Sequence, residues 1–183
     1  MAVNLVKGQR ISLEKTAGKT LGTVRMGLGW DMATEGTEID LDGSCLVLDA
    51  NKKMIEAIWY GDLKSKNQSI VHSGDNLTGE GEGDDEVITV KLNEVSPDAK
   101  YLAFTVTSYS GHRFPRIENA FCRVVDESGT EICRYQLSDM EDKTAMVIAT
   151  LYRHNDEWKF RAIGEFAIGA TVMDIVGIVQ RVV

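Results

Sequence analysis

The residues of this chain best suited to chemistry are crowded into one acidic segment, Gly74–Glu86. Its 13 residues include six carboxylates and four glycines, with no Lys or Arg. The segment therefore carries −6 of a formal net charge of −8 for all 183 residues. Carboxylates this close repel one another, and a hard divalent cation removes that repulsion. Calcium takes roughly six to eight oxygen ligands from carboxylates, amides, backbone carbonyls and water, so the composition favours a calcium site.

The glycines of this segment let the backbone fold back, so that carbonyls and carboxylates can converge on one point. Magnesium fits less well because it keeps its waters and needs few carboxylates. Zinc fits poorly because the segment contains no His or Cys. The order of residues is not that of an EF-hand, since Leu77 and Glu80 stand where that loop needs Asp or Asn and Gly. The competing interpretation is a solvated acidic loop with no bound ion.

A second group of carboxylates precedes and follows predicted strands. In Asp40-Leu41-Asp42, alternation along extended backbone places the two carboxylates on one face. Asp31 follows Trp30 at the end of another predicted strand. If these strand ends meet the acidic segment, there are enough oxygens for two ions.

The elements that must position these residues are strands. Apolar runs separated by turn residues predict a series of strands at hairpin spacing, which is typical of an all-β sandwich of two antiparallel sheets. The predicted strands are Val24–Trp30, Ser44–Leu48, Met54–Tyr60, Glu86–Leu92, Tyr101–Tyr109, Phe121–Val125, Glu131–Leu137, Met146–Arg153 and Glu157–Ile163. From Ile168 to Val183, apolar residues recur at helical spacing and predict a short C-terminal amphipathic helix. We find no repeat or linker and predict a single domain over residues 1–183.

Composition limits the classes of function. A net charge of −8 argues against direct nucleic-acid binding, which needs a basic face, and Arg10, Arg113 and Arg116 form no dense basic patch. No apolar stretch is long enough to span a membrane, and we identify no signal peptide. Three cysteines without a paired motif favour a reducing compartment, so we expect a cytoplasmic protein.

The acidic segment and several other motifs resemble the TerD family of tellurium-resistance and stress-response proteins. The resemblance covers nearly the whole chain, from about Val3 to Gly164. Val71-His72-Ser73 with Ala120-Phe121-Cys122-Arg123 is most similar to the TerZ branch. The matching motifs are Gly27-Leu28-Gly29-Trp30-Asp31, Ile39-Asp40-Leu41-Asp42, Gly74–Glu86, Glu118–Val125, Leu151–His154 and Trp158–Gly164.

This resemblance implies a calcium-binding β-sandwich with two Ca2+ ions held between loops at one end. It implies a non-catalytic binding or scaffold module, not an enzyme. The expected partners are other tellurite-resistance and stress proteins, in an assembly that can associate with a membrane. Carried over by motif, the predicted metal ligands are Asp31, Asp40, Asp42, Asp75, Asn76, Thr78, Gly79, Gly81, Asp84, Asp85 and Glu86.

Two other functions remain open at this point. Cys122 and Cys133 lie on facing arms of a predicted hairpin, so thiol-dependent detoxification of tellurite or oxidants is the alternative, against two ordinary buried thiols. A small phosphorylated metabolite bridged by calcium is a third reading that nothing in the sequence favours. No acid–base spacing characteristic of catalysis links the three histidines, His72, His112 and His154. We therefore expect them to be hydrogen-bonded residues at the surface.

Overall fold

Short apolar segments separated by turns build two antiparallel sheets that face each other. The computed structural model describes residues 2–32, 40–74, 83–114, 117–137 and 141–183, with only the backbone of residues 32, 117 and 118. Within these residues the strands are β1 (Val3–Leu5), β2 (Arg10–Ser12), β3 (Thr23–Met32), β4 (Leu41–Leu48), β5 (Met54–Ile58), β6 (Ile70–His72), β7 (Glu86–Lys91), β8 (Tyr101–Ser108), β9 (Ile117–Asp126), β10 (Glu131–Gln136), β11 (Ala145–His154) and β12 (Glu157–Ala167). A short helix α1 (Leu13–Ala17) follows β2, and a 3-10 helix (Val172–Ile175) leads into α2 (Val176–Val182).

The described strands form two six-stranded sheets. The first sheet has the order β1-β10-β9-β3-β7-β6, and the second has the order β2-β12-β11-β8-β4-β5. All neighbouring pairs are antiparallel except β1 with β10, which is parallel. The predicted all-β sandwich is therefore confirmed, with the small strands β1, β2 and β6 added to those that the sequence indicated.

One apolar core fills the space between the two sheets. Met26 and Leu28 of the first sheet and Phe104 and Leu151 of the second are among its fully buried members. Along β7 the side chains alternate, since Ile88 and Val90 face this core while their neighbours Val87 and Thr89 are half-buried.

A second apolar cluster covers the outer face of the second sheet. Leu46 and Ala103 from the strands pack there against Val172, Ile175 and Val179 of the C-terminal helices. This third layer explains why every residue of β4 is buried, on both faces of the strand. The predicted C-terminal helix is confirmed, but it begins later than the apolar spacing suggested, because a 3-10 turn with Asp174 capping Thr171 precedes it.

Candidate metal-binding site

Three strand ends bring predicted ligands to one end of the sandwich. β3 ends just beyond Asp31, β4 begins just after Asp40, and β7 begins at Glu86. Because β3 and β7 are antiparallel neighbours, with Leu28 opposite Glu86, the end of one strand lies beside the start of the other. We call this group of carboxylates the acidic end; its described members are Asp31, Asp40, Asp42, Asp84, Asp85 and Glu86.

Asp85 is fastened to the backbone of β3. Its backbone N–H donates to the Leu28 carbonyl at 2.8 Å, and its Oδ2 accepts from the Trp30 N–H at 2.8 Å. Burial raises the pKa of Asp85, and the charges of Asp31, Asp84 and Glu86 raise it further, against the lowering effect of the Trp30 N–H. Asp31, Asp84 and Glu86 are therefore close enough to Asp85 for their charges to act on it.

The glycines of the Gly-x-Gly-Trp-Asp motif make room for this arrangement. A Cβ on Gly27 would collide with the Asp84 carboxylate, and one on Gly29 would collide with the Phe121 ring and approach the Gly83 carbonyl. Residues 83–85 therefore lie directly against β3, where a larger side chain would push them away. This gives a packing reason for the motif's glycines that the sequence alone does not supply.

Asp84 forms a bidentate ion pair with Arg123 of β9. Arg123 Nε and Nη2 donate to Asp84 Oδ1 and Oδ2 at 2.7 and 3.1 Å. Donation of these hydrogen bonds to Asp84 raises the pKa of Arg123. Arg123 also binds Glu131, which Arg134 holds in turn at 2.8 Å. Asp84 thus fixes the start of β7 to the middle of the first sheet, in addition to its predicted role as a ligand.

Glu86 crosses the gap between the two sheets. Its side chain is fully buried, and its Oε2 accepts from the Gly43 N–H of β4 at 2.6 Å and lies 3.3 Å from His72 Nε2. His72 Nε2 also lies 2.9 Å from the Gly43 carbonyl, while its Nδ1 accepts from the Gly74 N–H at 3.0 Å. Because Nδ1 accepts, Nε2 carries the proton and donates across the gap. We call Glu86, His72 and Gly43 the inter-sheet bridge.

The expectation that all three histidines lie at the surface is wrong for His72. Its side chain is buried, whereas His154 is exposed and His112 is half-buried. Burial lowers the pKa of His72, but Glu86, the hydrogen bond to the Gly43 carbonyl and the charge of Asp42 together raise it more, so the net direction is upward. The sequence signal was weak, because a histidine at the end of a three-residue strand looks like any strand-end residue.

Asp31, Asp40 and Asp42 differ in their surroundings. Asp31 is exposed, and its Oδ2 accepts from Asn119 Nδ2 at 2.8 Å. Asn119 reaches it from a β-bulge in β9, where it has a φ of 51°. Asp40 is half-buried, and Asp42 is buried on β4 opposite Thr107.

The remaining predicted ligands lie outside the described residues: Asp75, Asn76, Thr78, Gly79 and Gly81. Among the residues that the structure does describe, no three His, Cys, Asp or Glu side chains are arranged to hold a metal ion. The donor chemistry nevertheless suits calcium, because it consists of carboxylate oxygens on short strand ends. The assignment of ligands stays a prediction.

The three thiols are poorly placed for chemistry. Cys45, Cys122 and Cys133 are unpaired and fully buried. Burial raises the pKa of all three and brings that of Cys133 to about 12, so they are protonated at neutral pH. Cys122 and Cys133 do lie near each other across β9 and β10, as expected. A protonated, buried thiol is a poor nucleophile, which argues against the thiol-dependent alternative.

Fold and site together define a class: a two-sheet β-sandwich with carboxylates gathered where three strand ends meet. The family model for the TerD domain matches residues 1–176, so this chain belongs to the TerD family. The predicted family resemblance is thereby confirmed.

Individual relatives have names related to tellurium resistance and stress. The chain is 44% identical over 183 residues to tellurium resistance protein TerZ of Serratia marcescens, covering 94% of each chain. It is 44% identical over 174 residues to tellurium resistance protein TerD of an Alcaligenes species, covering 90% of each. General stress protein 16U of Bacillus subtilis is 43% identical over 175 residues, again with 90% of each chain covered.

Solved structures show the same fold at lower identity. A homologue of the telluride resistance protein TerD from Streptomyces coelicolor superposes with a TM-score of 0.72 at 20% identity, covering 86% of this chain and 96% of that one.

The described part of our chain has no helix with the length and apolarity needed to cross a membrane.

Proposed function

We propose that this chain is a non-catalytic, calcium-binding module of the tellurium-resistance and stress response, in which Ca2+ at the acidic end orders a surface for partner proteins. The observation that carries the proposal is the attachment of Asp85 to β3. Its two hydrogen bonds, with the Leu28 carbonyl and the Trp30 N–H, hold the start of β7 against the end of β3. Both of these strand ends carry carboxylates. Carboxylates gathered in this way repel one another, and a cation that takes many oxygen ligands relieves that repulsion.

Within this proposal the described carboxylates divide into two roles. Asp31 and Asp40 are at least partly open to solvent and Asp85 is half-buried, so these three are the best-placed ligands. Asp84 and Glu86 are engaged by Arg123, Gly43 and His72, so their first role is to position the others. The predicted donors Asp75, Asn76, Thr78, Gly79 and Gly81 would complete two sites.

The proposed module would act in the cytoplasm, where three unpaired thiols are stable. Its partners would be other tellurite-resistance and stress proteins, and a complex of this kind can assemble at a membrane without a spanning helix. The relatives' names support the stress context, since three of them refer to tellurium resistance or general stress.

Calorimetric titration with Ca2+ tests the proposal, with elemental analysis to count the ions. The test variant is Asp31→Asn with Asp85→Asn, and the matched control is Glu94→Gln with Asp98→Asn, which removes two exposed carboxylates beyond the far end of β7. We expect two ions in the wild-type protein and the control, and at least a tenfold weaker affinity in the test variant. At a free Ca2+ concentration one hundred times the Kd, binding should stabilise the fold by about 2.7 kcal/mol.

Two results would overturn this function. One is a wild-type protein that takes up no Ca2+ at millimolar concentration. The other is equal affinity in the test variant and the control, which would exclude Asp31 and Asp85 as ligands.

A further inference from the structure

A basic cleft lies on the outer face of the second sheet, in a protein whose net charge is −8. Its volume is 680 Å³, within the range of about 300–1,000 Å³ usual for small-molecule sites. Its floor is formed by β2, β12, β11 and the first residue of β8. The cations that line it are Arg10, Lys15, Lys100, Arg153, Lys159 and Arg161.

The strand register places the central cations side by side. Arg10 of β2 lies directly opposite Arg161 of β12, and Lys159 is two residues away on the same face, opposite Ser12. Directly opposed residues on neighbouring strands have Cβ atoms about 5 Å apart, and like charges in that position destabilise a sheet. The fold therefore concentrates positive charge where it costs stability, and a bound anion would offset that cost.

Two of the lining cations are already used by the protein. Arg153 donates to the backbone carbonyls of Val95, Ser96 and Ala99 at 2.8 to 3.1 Å and packs over the Trp158 ring. Lys15 pairs with Glu157, the first residue of β12, at 2.9 Å. The protein itself therefore supplies the partners of these two cations.

The other four cations keep their capacity to bind an anion. Among the described residues, no carboxylate lies within 4.0 Å of the charged groups of Arg10, Lys100, Lys159 or Arg161. Arg161 Nη1 donates to the Val182 carbonyl at 3.0 Å, which fixes the guanidinium. Its buried Nε has no hydrogen-bond partner in the part of the chain that is described.

Two tyrosines give the cleft an aromatic side. Tyr101 and Tyr152 lie opposite each other on β8 and β11, with ring centroids 6.5 Å apart and planes inclined by 28°. Both rings are half-buried. A ligand with a charged group on the cations could thus pack a carbon skeleton against these rings.

We propose that this cleft binds a small organic phosphate, with the phosphate on Arg10, Lys159 and Arg161 and the organic part against Tyr101 and Tyr152. Arginine guanidinium groups match the geometry of phosphate oxygens. A long nucleic acid fits less well, because the chain carries a net charge of −8 and would repel a polyanion that extends beyond the cleft. The site is separate from the acidic end: Tyr101 and Thr107, the partner of Asp42, lie at opposite ends of β8, roughly 20 Å apart at about 3.3 Å per residue.

Calorimetric titration with phenyl phosphate and with inorganic phosphate, at low ionic strength, tests the proposal. We expect phenyl phosphate to bind more tightly than inorganic phosphate, and both to weaken as salt is added. The variant Arg10→Gln with Lys159→Gln should lose at least tenfold in affinity for both. The control Lys53→Gln with Lys66→Gln removes the same charge at exposed positions outside the cleft and should bind as the wild type does.

A second variant, Tyr152→Leu, removes one ring and keeps every cation. It should abolish the preference for phenyl phosphate over inorganic phosphate. The proposal is overturned if the wild type binds neither probe at millimolar concentration, if the control loses as much affinity as the cleft variant, or if inorganic phosphate binds as tightly as phenyl phosphate. Calcium affinity should be the same in all of these variants, which separates this site from the proposed calcium function.

Discussion

The inter-sheet bridge gives a prediction that separates structural roles from metal binding. Glu86 is buried, accepts a hydrogen bond from the Gly43 N–H at 2.6 Å, and has its Oε2 3.3 Å from His72 Nε2. The substitution Glu86→Ala removes the acceptor and leaves the Gly43 N–H buried without its partner. A hydrogen bond to a charged group contributes about 1.5–3 kcal/mol, and an orphaned buried donor costs about 1–3 kcal/mol.

Taken together, these contributions predict that Glu86→Ala lowers the free energy of unfolding by about 3–5 kcal/mol, as is usual when one partner of a buried pair is removed. Glu86→Gln keeps the shape and one acceptor oxygen, so we expect a smaller loss of about 1–2 kcal/mol. The exposed residue Glu94 on the β7–β8 connection is the control, and Glu94→Ala should change stability by less than about 0.5 kcal/mol.

Urea unfolding measured in excess EDTA is the assay, since it removes any contribution of bound calcium. The slope of the free energy with urea should stay constant, so that the midpoint alone reports the change. If Glu86 acted only as a metal ligand, Glu86→Ala would match the wild type in EDTA and differ only with Ca2+ present. A loss below about 1 kcal/mol in EDTA would refute the structural role of the bridge.

Two further predictions concern parts of the fold far from the acidic end. The hydrogen bond from Lys19, and after it the hydrogen bond from Ser128, holds the pKa of Asp126 well below its ordinary value of 3.8. The ionised form of Asp126 therefore stabilises the fold above about pH 4, and that stability is lost as the pH falls further. The substitution Asp126→Asn should therefore lower Tm clearly at pH 7 and progressively less below pH 4; an equal loss at pH 7 and pH 3 would contradict the assignment. Val179 of α2 is fully buried against the second sheet, so Val179→Ala should lower the free energy of unfolding in urea by roughly 2 kcal/mol. The control Met173→Ala, at an exposed position, should lower it by less than about 0.5 kcal/mol. Equal effects would show that the third layer does not contribute to stability.

The sequence by itself determined the sandwich, most of its strands and the concentration of carboxylates that gives the acidic end its charge. These follow from local properties: alternation of apolar residues at period two, turn residues between runs, and the charge of a continuous segment. The helical spacing after Ile168 likewise predicted α2, although not its late start. Patterns of this kind survive in the sequence because each depends on neighbours within a few positions.

Only the tertiary structure decided which partner each polar residue takes. The pairing of Asp84 with Arg123 spans 39 positions, and Glu86 reaches Gly43 across 43 positions. No local pattern encodes such contacts, so the sequence predicts a surface position for His72, which is in fact buried. The basic cleft shows the same limit. Arg10 and Arg161 are 151 positions apart in the sequence, and antiparallel pairing of β2 with β12 places them face to face. Net charge reports a sum over the chain, whereas a binding site depends on where the fold sets each charge.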